Sequence, residues 1–236
     1  HALYALRGQI RSKRQLATES IHLEQERLKE TVGSQDQVMA AYGGFNHVTF
    51  AQNGDISVEP MILPPQRIQE LNDHLMLFYT GIMRNASDVA GSYVPDIGNR
   101  GNNFQPLVEM VDEGISILAG GQDISSFGEL LHRAWQVKVD MSSKVSNPEV
   151  DDIYRRARDA GAIGGKLLGA GGGGFMLLFV PPAKQSKVKD QLQRLIHVPF
   201  GFEHSGSQII FFDNEQDYSF EEAVRSRQDI QGFHEL

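Results

Sequence analysis

The chain has 236 residues, 40% hydrophobic and 22% charged, with 30 Asp and Glu against 22 Lys and Arg for a formal net charge of -8. That length supports one large domain or two small ones around a sizeable core, and the acidic balance argues against a nucleic-acid surface, which needs clustered Lys and Arg. With no cysteine, disulfides, thiolate catalysis and cysteine-based zinc sites are excluded together, which fits a reducing compartment. No stretch approaches the roughly 18 apolar residues of a membrane span, and the first residues lack the order of a secretory signal. A cytoplasmic protein with neither nucleic acid nor membrane as partner is the expectation.

In chain order, His1 to Leu6 read as the last turns of a helix stopped by Gly8. With no initiator Met, this suggests a fragment whose upstream part is missing. Residues 14 to 30 form a helix with a charged face, and a second helix runs from Gln35 through Ala41 with Asp36 near its start. Tyr42-Gly43-Gly44-Phe45 is a turn. Phe45 to Phe50 and Asp55 to Val58 make a hairpin around Asn53-Gly54, a pair that favours the primed turns of hairpins. Met61 to Pro65 marks a boundary before a short helix. His74 to Thr80 is a strand, Gly81 to Arg100 is loop with a helix near Ala86 to Ala90, and residues 104 to 119, 125 to 143 and 148 to 160 are helices, the last opened by Pro148 at its first position. A strand at 175 to 180, a basic amphipathic helix at 184 to 196 and a last strand at Ser207 to Phe212 complete the order. Helices on one face of a mostly antiparallel sheet, an α+β sandwich, suit this sequence better than a doubly wound sheet.

The most informative segment is Lys166-Leu167-Leu168-Gly169-Ala170-Gly171-Gly172-Gly173-Gly174-Phe175. Five glycines in six positions permit positive φ and close backbone approach, either around an anion or against another loop. Gly169 to Gly174 satisfies G-x-G-x-x-G, but a dinucleotide fingerprint needs a helix next, and Phe175 to Val180 reads as a strand. A Walker loop needs Lys after its last glycine, where Phe175 stands. A protein-kinase loop would lie between strands, but no H-R-D or D-F-G follows. The histidines show no tight ligand spacing for zinc.

The stretch Gly164-Gly165-Lys166-Leu167-Leu168-Gly169-Ala170-Gly171-Gly172-Gly173-Gly174-Phe175 resembles the third conserved motif of the GHMP small-molecule kinases. Val32-Gly33-Ser34-Gln35-Asp36-Gln37, Tyr42-Gly43-Gly44-Phe45, Leu77-Phe78-Tyr79-Thr80-Gly81 with Arg84, and Trp135 with Lys138 are similar to the branch of heptose-phosphate kinases and fucokinase-like sugar kinases. The resemblance covers nearly the whole chain. It implies a two-part architecture, with residues 1–60 the remnant of an N-terminal nucleotide-binding domain and 61–236 a C-terminal α/β sandwich. It also implies ATP as phosphate donor, Mg²⁺ as cofactor and the anomeric hydroxyl of D-glycero-D-manno-heptose 7-phosphate as acceptor, with free fucose or galactose as alternatives. The Pro/Gly/Ser phosphate loop of these kinases belongs just upstream of His1, so the chain alone is expected to be nearly inactive, or a non-catalytic sugar- or partner-binding module. A homodimer is a further expected partner, through apolar surface left by the missing part.

Each candidate residue carries a functional and a bland reading. Asp36, in the galactokinase-like pattern Gly33-x-x-Asp36-Gln37, is the expected base that takes or orients the hydroxyl proton; the alternative is an N-cap aspartate. Glu24 is the implied Mg²⁺ ligand, because Leu23-Glu24-Gln25-Glu26 resembles the Ala-Glu-His-Glu of galactokinases; the alternative is a solvated surface glutamate, which is the reading for Glu26. Gly33 would let the sugar approach the backbone beside Asp36. Thr80, Gly81 and Arg84 follow a buried strand, where Arg84 could fork onto a sugar phosphate or make a surface salt bridge. Tyr42 and Gly44 line the sugar pocket or serve turn and core. Lys166, with Gly169, Gly171, Gly172, Gly173 and Gly174, lies beside the nucleotide phosphates, bracing the phosphate loop more than binding ATP itself. Lys138 reads as structural, and Lys184, Lys187 and Lys189 as a solvated face.

Overall fold

In the computed structural model, which describes residues 1–83, 105–169, 171–212 and 218–227, the chain separates into two compact units. One is Ser12–Ser207; the other comprises the chain ends, His1–Arg11 and Gln208–Leu236. Helix α1 (Ala2–Ala5) lies in the second unit. It is followed by Gly8 at φ +65, and the Arg11 guanidinium stacks over the Tyr4 ring at 4.2 Å.

The larger unit opens on a capping box. The Ser12 side chain accepts from the backbone N–H of Gln15, whose side chain accepts from Ser12 N, so two otherwise orphaned donors are satisfied at once. Helix α2 (Lys13–His22) does not continue to residue 30 as expected. It widens into a π-helical turn, Leu23–Arg27. Lys29 takes φ +58, and the Gln25 amide donates to Val32 O at 2.9 Å and Ser34 Oγ at 3.2 Å. The chain is thereby folded back so that α3 (Gln35–Tyr42) lies beside α2, burying Ala17, Val38 and Ala41 between them. Strands β1 (Asn46–Phe50) and β2 (Ile56–Pro60) form the expected hairpin, with Val48 opposite Val58 and Gly54 at φ +86 in the turn.

Helix α4 (Pro65–His74) starts on proline and runs directly into β3 (Leu75–Tyr79). Then come α5 (Gln105–Ala119), α6 (Ser125–Met141), α7 (Pro148–Ala160), β4 (Gly164–Leu167), β5 (Phe175–Phe179), a 3-10 turn at Pro182–Lys184, α8 (Gln185–Gln191) and β6 (Ile196–Val198). The second sheet runs β4-β5-β3-β6, antiparallel throughout, as the expected α+β class requires. Alternation along a strand sends its side chains to two faces. Met76, Phe78, Met176 and Leu178 pack with Trp135, Val150, Ile153 and Leu192, while Phe179 joins Leu63, Leu71, Leu118 and Ile124. Helix α7 is capped by Asn147, which accepts from Glu149 and Val150 N–H, and ended by left-handed Gly161.

Three expectations change. Gly164–Leu167 pairs as a strand although it opens on two glycines. Those glycines are required by packing, because a Cβ on Gly164 would stand 1.9 Å from the Gly128 carbonyl oxygen of α6. The basic helix stops at Gln191 rather than 196: Leu192 is buried, and Ile196–Val198 pairs with β3 instead. Ser207–Phe212, expected as the last strand, has no regular structure, and Ile210 and Phe211 are exposed. Apolar β-formers make a strand only where a neighbour supplies the ladder. In the second unit α9 (Ser219–Arg225) follows. Arg84 and the helix expected near 86–90 lie outside the described residues.

Candidate active site

Asp36 lies in the first turn of α3, where the N-cap is Ser34 and not Asp36 itself, and its side chain is exposed. Unpaired N–H groups at a helix start favour a negative charge there. One residue further on, Gln37 points inward, 7% exposed, and its amide donates to Glu24 Oε2 at 2.5 Å. The π-turn thus separates the two glutamates that sequence left side by side: Glu24 is half-buried and turned to α3, whereas Glu26 is exposed and paired with Lys29 at 3.2 Å. A single carboxylate is an adequate protein ligand for Mg²⁺, which keeps waters and takes its other oxygens from substrate phosphates. Among the described residues, no group of three or more His, Cys, Asp or Glu could enclose a metal.

The glycine loop is pinned at successive carbonyls. Lys138 Nζ donates to Gly169 O at 2.6 Å, Asn147 Nδ2 to Gly172 O at 2.9 Å, and Thr80 donates its hydroxyl at 2.8 Å and its backbone N–H at 2.9 Å to Gly174 O. In return Gly172 N–H donates to Val145 O and Gly174 N–H to Ile82 O. A Cβ on Gly171 would meet Val145 O at 2.7 Å, and one on Gly173 would meet Ile82 O at 2.4 Å. Gly169, Gly171, Gly172 and Gly174 all hold positive φ, which glycine alone adopts without strain. The loop is therefore packed at backbone distance against its own domain.

Two lysines reach this loop from different elements. Lys166 stands on β4, half-buried, and burial lowers its pKa. Lys138 comes from α6. Burial, together with the Lys166 charge, pushes its pKa down to about 8, while Asp36 acts in the opposite direction. Lys138 thus touches the glycine loop at Gly169 O and lies within electrostatic reach of both Lys166 and Asp36. Lys138 had read as structural, and the lone signal in the sequence was its pairing with Trp135. The role of Gln37 was hidden as well, because only the π-turn reveals which glutamate it holds.

The other expected residues are dispersed. Gly33 is exposed, with open space around a Cβ position. Thr80 is buried, its hydroxyl donating to Gly174 O and accepting from Ile82 N–H, so it braces the loop. Gly81 holds φ +76 in open space. Tyr42 closes the far end of α3, where its carbonyl accepts from Lys13 Nζ at 2.7 Å. Gly44 donates its N–H to Glu203 O at 2.9 Å. Both belong to a turn packed on the Glu203–Gly206 loop, away from the start of α3. A cleft of about 620 Å³ opens between α3, β1, α5 and α6, lined by Gln35, Met39, His47, Met110, Leu131 and Lys166 among others.

Residues 115–197 match the family model described as GHMP kinases C terminal, and the chain carries that domain. Over 182 residues it is 31% identical to the D-glycero-alpha-D-manno-heptose 7-phosphate kinase of Campylobacter jejuni, covering 76% of this chain and 53% of that protein. It is 30% identical over 169 residues to the bifunctional fucokinase/GDP-fucose pyrophosphorylase of Arabidopsis thaliana, covering 69% of this chain and 16% of that one. The crystal structure of a D-glycero-D-manno-heptose 1-phosphate kinase from Bacteriodes thetaiotaomicron has the same fold, with a TM-score of 0.62 at 23% identity over 83% of this chain and 54% of that chain. The chain spans about half the length of the heptose kinases it matches.

Proposed function

We propose that the protein is an ATP-dependent sugar kinase of the GHMP type whose acceptor is the anomeric hydroxyl of D-glycero-D-manno-heptose 7-phosphate. The observation that carries this reading is the Gln37–Glu24 hydrogen bond, which ties the helix that starts beside Asp36 to the half-buried Glu24 carboxylate; the similarity to the Campylobacter jejuni enzyme supports the substrate. In the reaction, Asp36 accepts the hydroxyl proton as the sugar oxygen bonds to the γ-phosphorus. The bond from that phosphorus to the β-γ bridging oxygen breaks, and ADP leaves with the electron pair. Positioning and charge supply most of the acceleration in such transfers. Glu24, oriented by Gln37, would hold Mg²⁺, which neutralises phosphate charge when bound. The glycine loop serves as a rigid wall for the phosphate end of the site.

On this reading residues 1–60 complete a nucleotide-binding domain and 61–236 form the C-terminal domain. The 236 residues by themselves, spanning about half of such an enzyme, are expected to transfer little or no phosphate. The similarity to the bifunctional fucokinase/GDP-fucose pyrophosphorylase of Arabidopsis thaliana favours a second acceptor, a free sugar. The test is to incubate the whole protein, including any sequence upstream of His1, with MgATP and either heptose 7-phosphate, fucose or galactose, and follow the product by phosphorus NMR. Anomeric phosphorylation of the heptose phosphate in clear preference to the free sugars is expected. Preference for fucose or galactose would replace the substrate, and transfer to none of the three would remove the kinase reading. Arg84→Ala should damage use of the phosphorylated sugar far more than use of a free one.

A further inference from the structure

The contact of α6 with β4 determines where Lys138 arrives. Gly128 and Gly164 touch at backbone distance. From there α6 climbs ten residues to Lys138, about 15 Å at 1.5 Å per residue, while the other chain advances five residues from Gly164 to Gly169, about 16 Å at strand spacing. The two paths match in length, and they end with the Lys138 ammonium on the Gly169 carbonyl. Lys166 lies on the same β4 path, three residues before Gly169, and lines the cleft beside Gln35, so ammonium groups from two packed elements approach the same end of the α6–β4 contact.

Two cations placed together repel each other. Among the described residues neither forms an ion pair with a carboxylate, and Asp36 is the anion within electrostatic reach of Lys138. Lys138 uses one of its three N–H donors on Gly169 O and retains two. A pair of partly desolvated ammoniums with one carboxylate in range leaves an excess of positive charge, which a bound anion matches. Resting on the kinase reading above, we propose that Lys138 and Lys166 form a two-ammonium site for the phosphoryl group in flight, Lys138 staying on the Gly169 carbonyl while its remaining donors meet the phosphoryl oxygens beside Asp36. Burial lowers both lysine pKa values, and the Lys166 charge lowers that of Lys138 further; a bound anion acts in the opposite direction on both.

The test compares Lys138→Arg, Lys138→Gln and Lys138→Met in the whole protein. Arginine keeps the charge, glutamine keeps only a donor for Gly169, and methionine keeps neither. Lys138→Met should lower kcat roughly 100-fold, the range seen when a group that stabilises transition-state charge is removed, with sugar KM nearly unchanged. Binding of ADP with aluminium fluoride, which mimics the group in flight, should weaken by roughly tenfold or more, as expected for the loss of one charge-assisted contact, while binding of ADP alone stays close to wild type. Lys138→Arg should recover most of both losses and Lys138→Gln little. Equal recovery by arginine and glutamine would reduce Lys138 to a clamp on the loop, and wild-type kcat in Lys138→Met would overturn the proposal outright. If Lys138→Met does not fold, Lys166→Met provides the same readouts on the second ammonium. An inactive wild-type protein would instead indict the kinase reading.

Discussion

The Gln37 amide donates to Glu24 Oε2 at 2.5 Å, tying the helix that begins beside Asp36 to the π-turn that carries Glu24. Because Gln37 is almost fully buried, that bond orients Glu24 rather than decorating the surface. Partners that hold a metal-binding carboxylate typically matter by about 10- to 100-fold in metal affinity or activity. Gln37→Leu should therefore raise the Mg²⁺ concentration needed for half-maximal activity by roughly tenfold, with sugar KM little changed. A Mg²⁺ titration that superimposes on wild type would separate Glu24 from the metal.

Asp36→Asn preserves shape and removes the proton acceptor. General-base contributions run from about 10²- to 10⁴-fold, so kcat should fall within that range while sugar KM stays close to wild type. The side chain is exposed, and the thermal midpoint should move little. Retention of most of kcat would make Asp36 a helix-start residue and no more.

The Lys138 ammonium, facing Asp36 and Lys166, has its pKa pushed down to about 8. Activity that depends on its charge should decline as pH rises through that value. Lys138→Arg should extend activity to higher pH, because a guanidinium does not deprotonate in this range. Stability moves the other way. The folded-state pKa lies below the ordinary lysine value of 10.5, so between about 8 and 10.5 the unfolded chain binds more protons, and folding stability from this group rises with pH across that window. Activity lost above pH 8 without a falling thermal midpoint is the expected combination; a parallel fall in both would assign the loss to unfolding.

Gly164→Ala places a Cβ 1.9 Å from the Gly128 carbonyl oxygen, and backbone atoms on both sides must give way. Overpacking of this kind costs about 1–3 kcal/mol. The variant should melt at lower temperature, and the shift of α6 should also carry Lys138 away from Gly169. Denaturant midpoints equal to wild type would show that the helix and strand can separate cheaply.

Much of the secondary structure was readable because it rests on local signals. Asn53-Gly54 announced the hairpin and Asn147-Pro148 the start of α7. The errors share one cause. The end of α2 at His22 depends on Gln25 reaching Val32 and Ser34, β4 depends on α6 lying against two glycines, and β6 takes the place beside β3 that nothing in Ile196–Val198 advertises. Ile209 to Phe212 had the composition of a strand and found no partner strand. Pairing is a property of two segments, and local composition speaks for one.

The sequence by itself determined the class of fold and the strand that follows the glycine run, because those depend on residue type at short spacing, and its resemblance to the GHMP kinases made Asp36 and Glu24 candidates. Tertiary structure alone decided which glutamate turns inward, what the glycine loop leans on, and that Lys138, about a hundred residues from Asp36 along the chain, comes within electrostatic reach of it. Electrostatic and hydrogen-bond contacts act over a few ångströms of space, and the distances along a chain that create them are set only when α6 and β4 meet at Gly128 and Gly164.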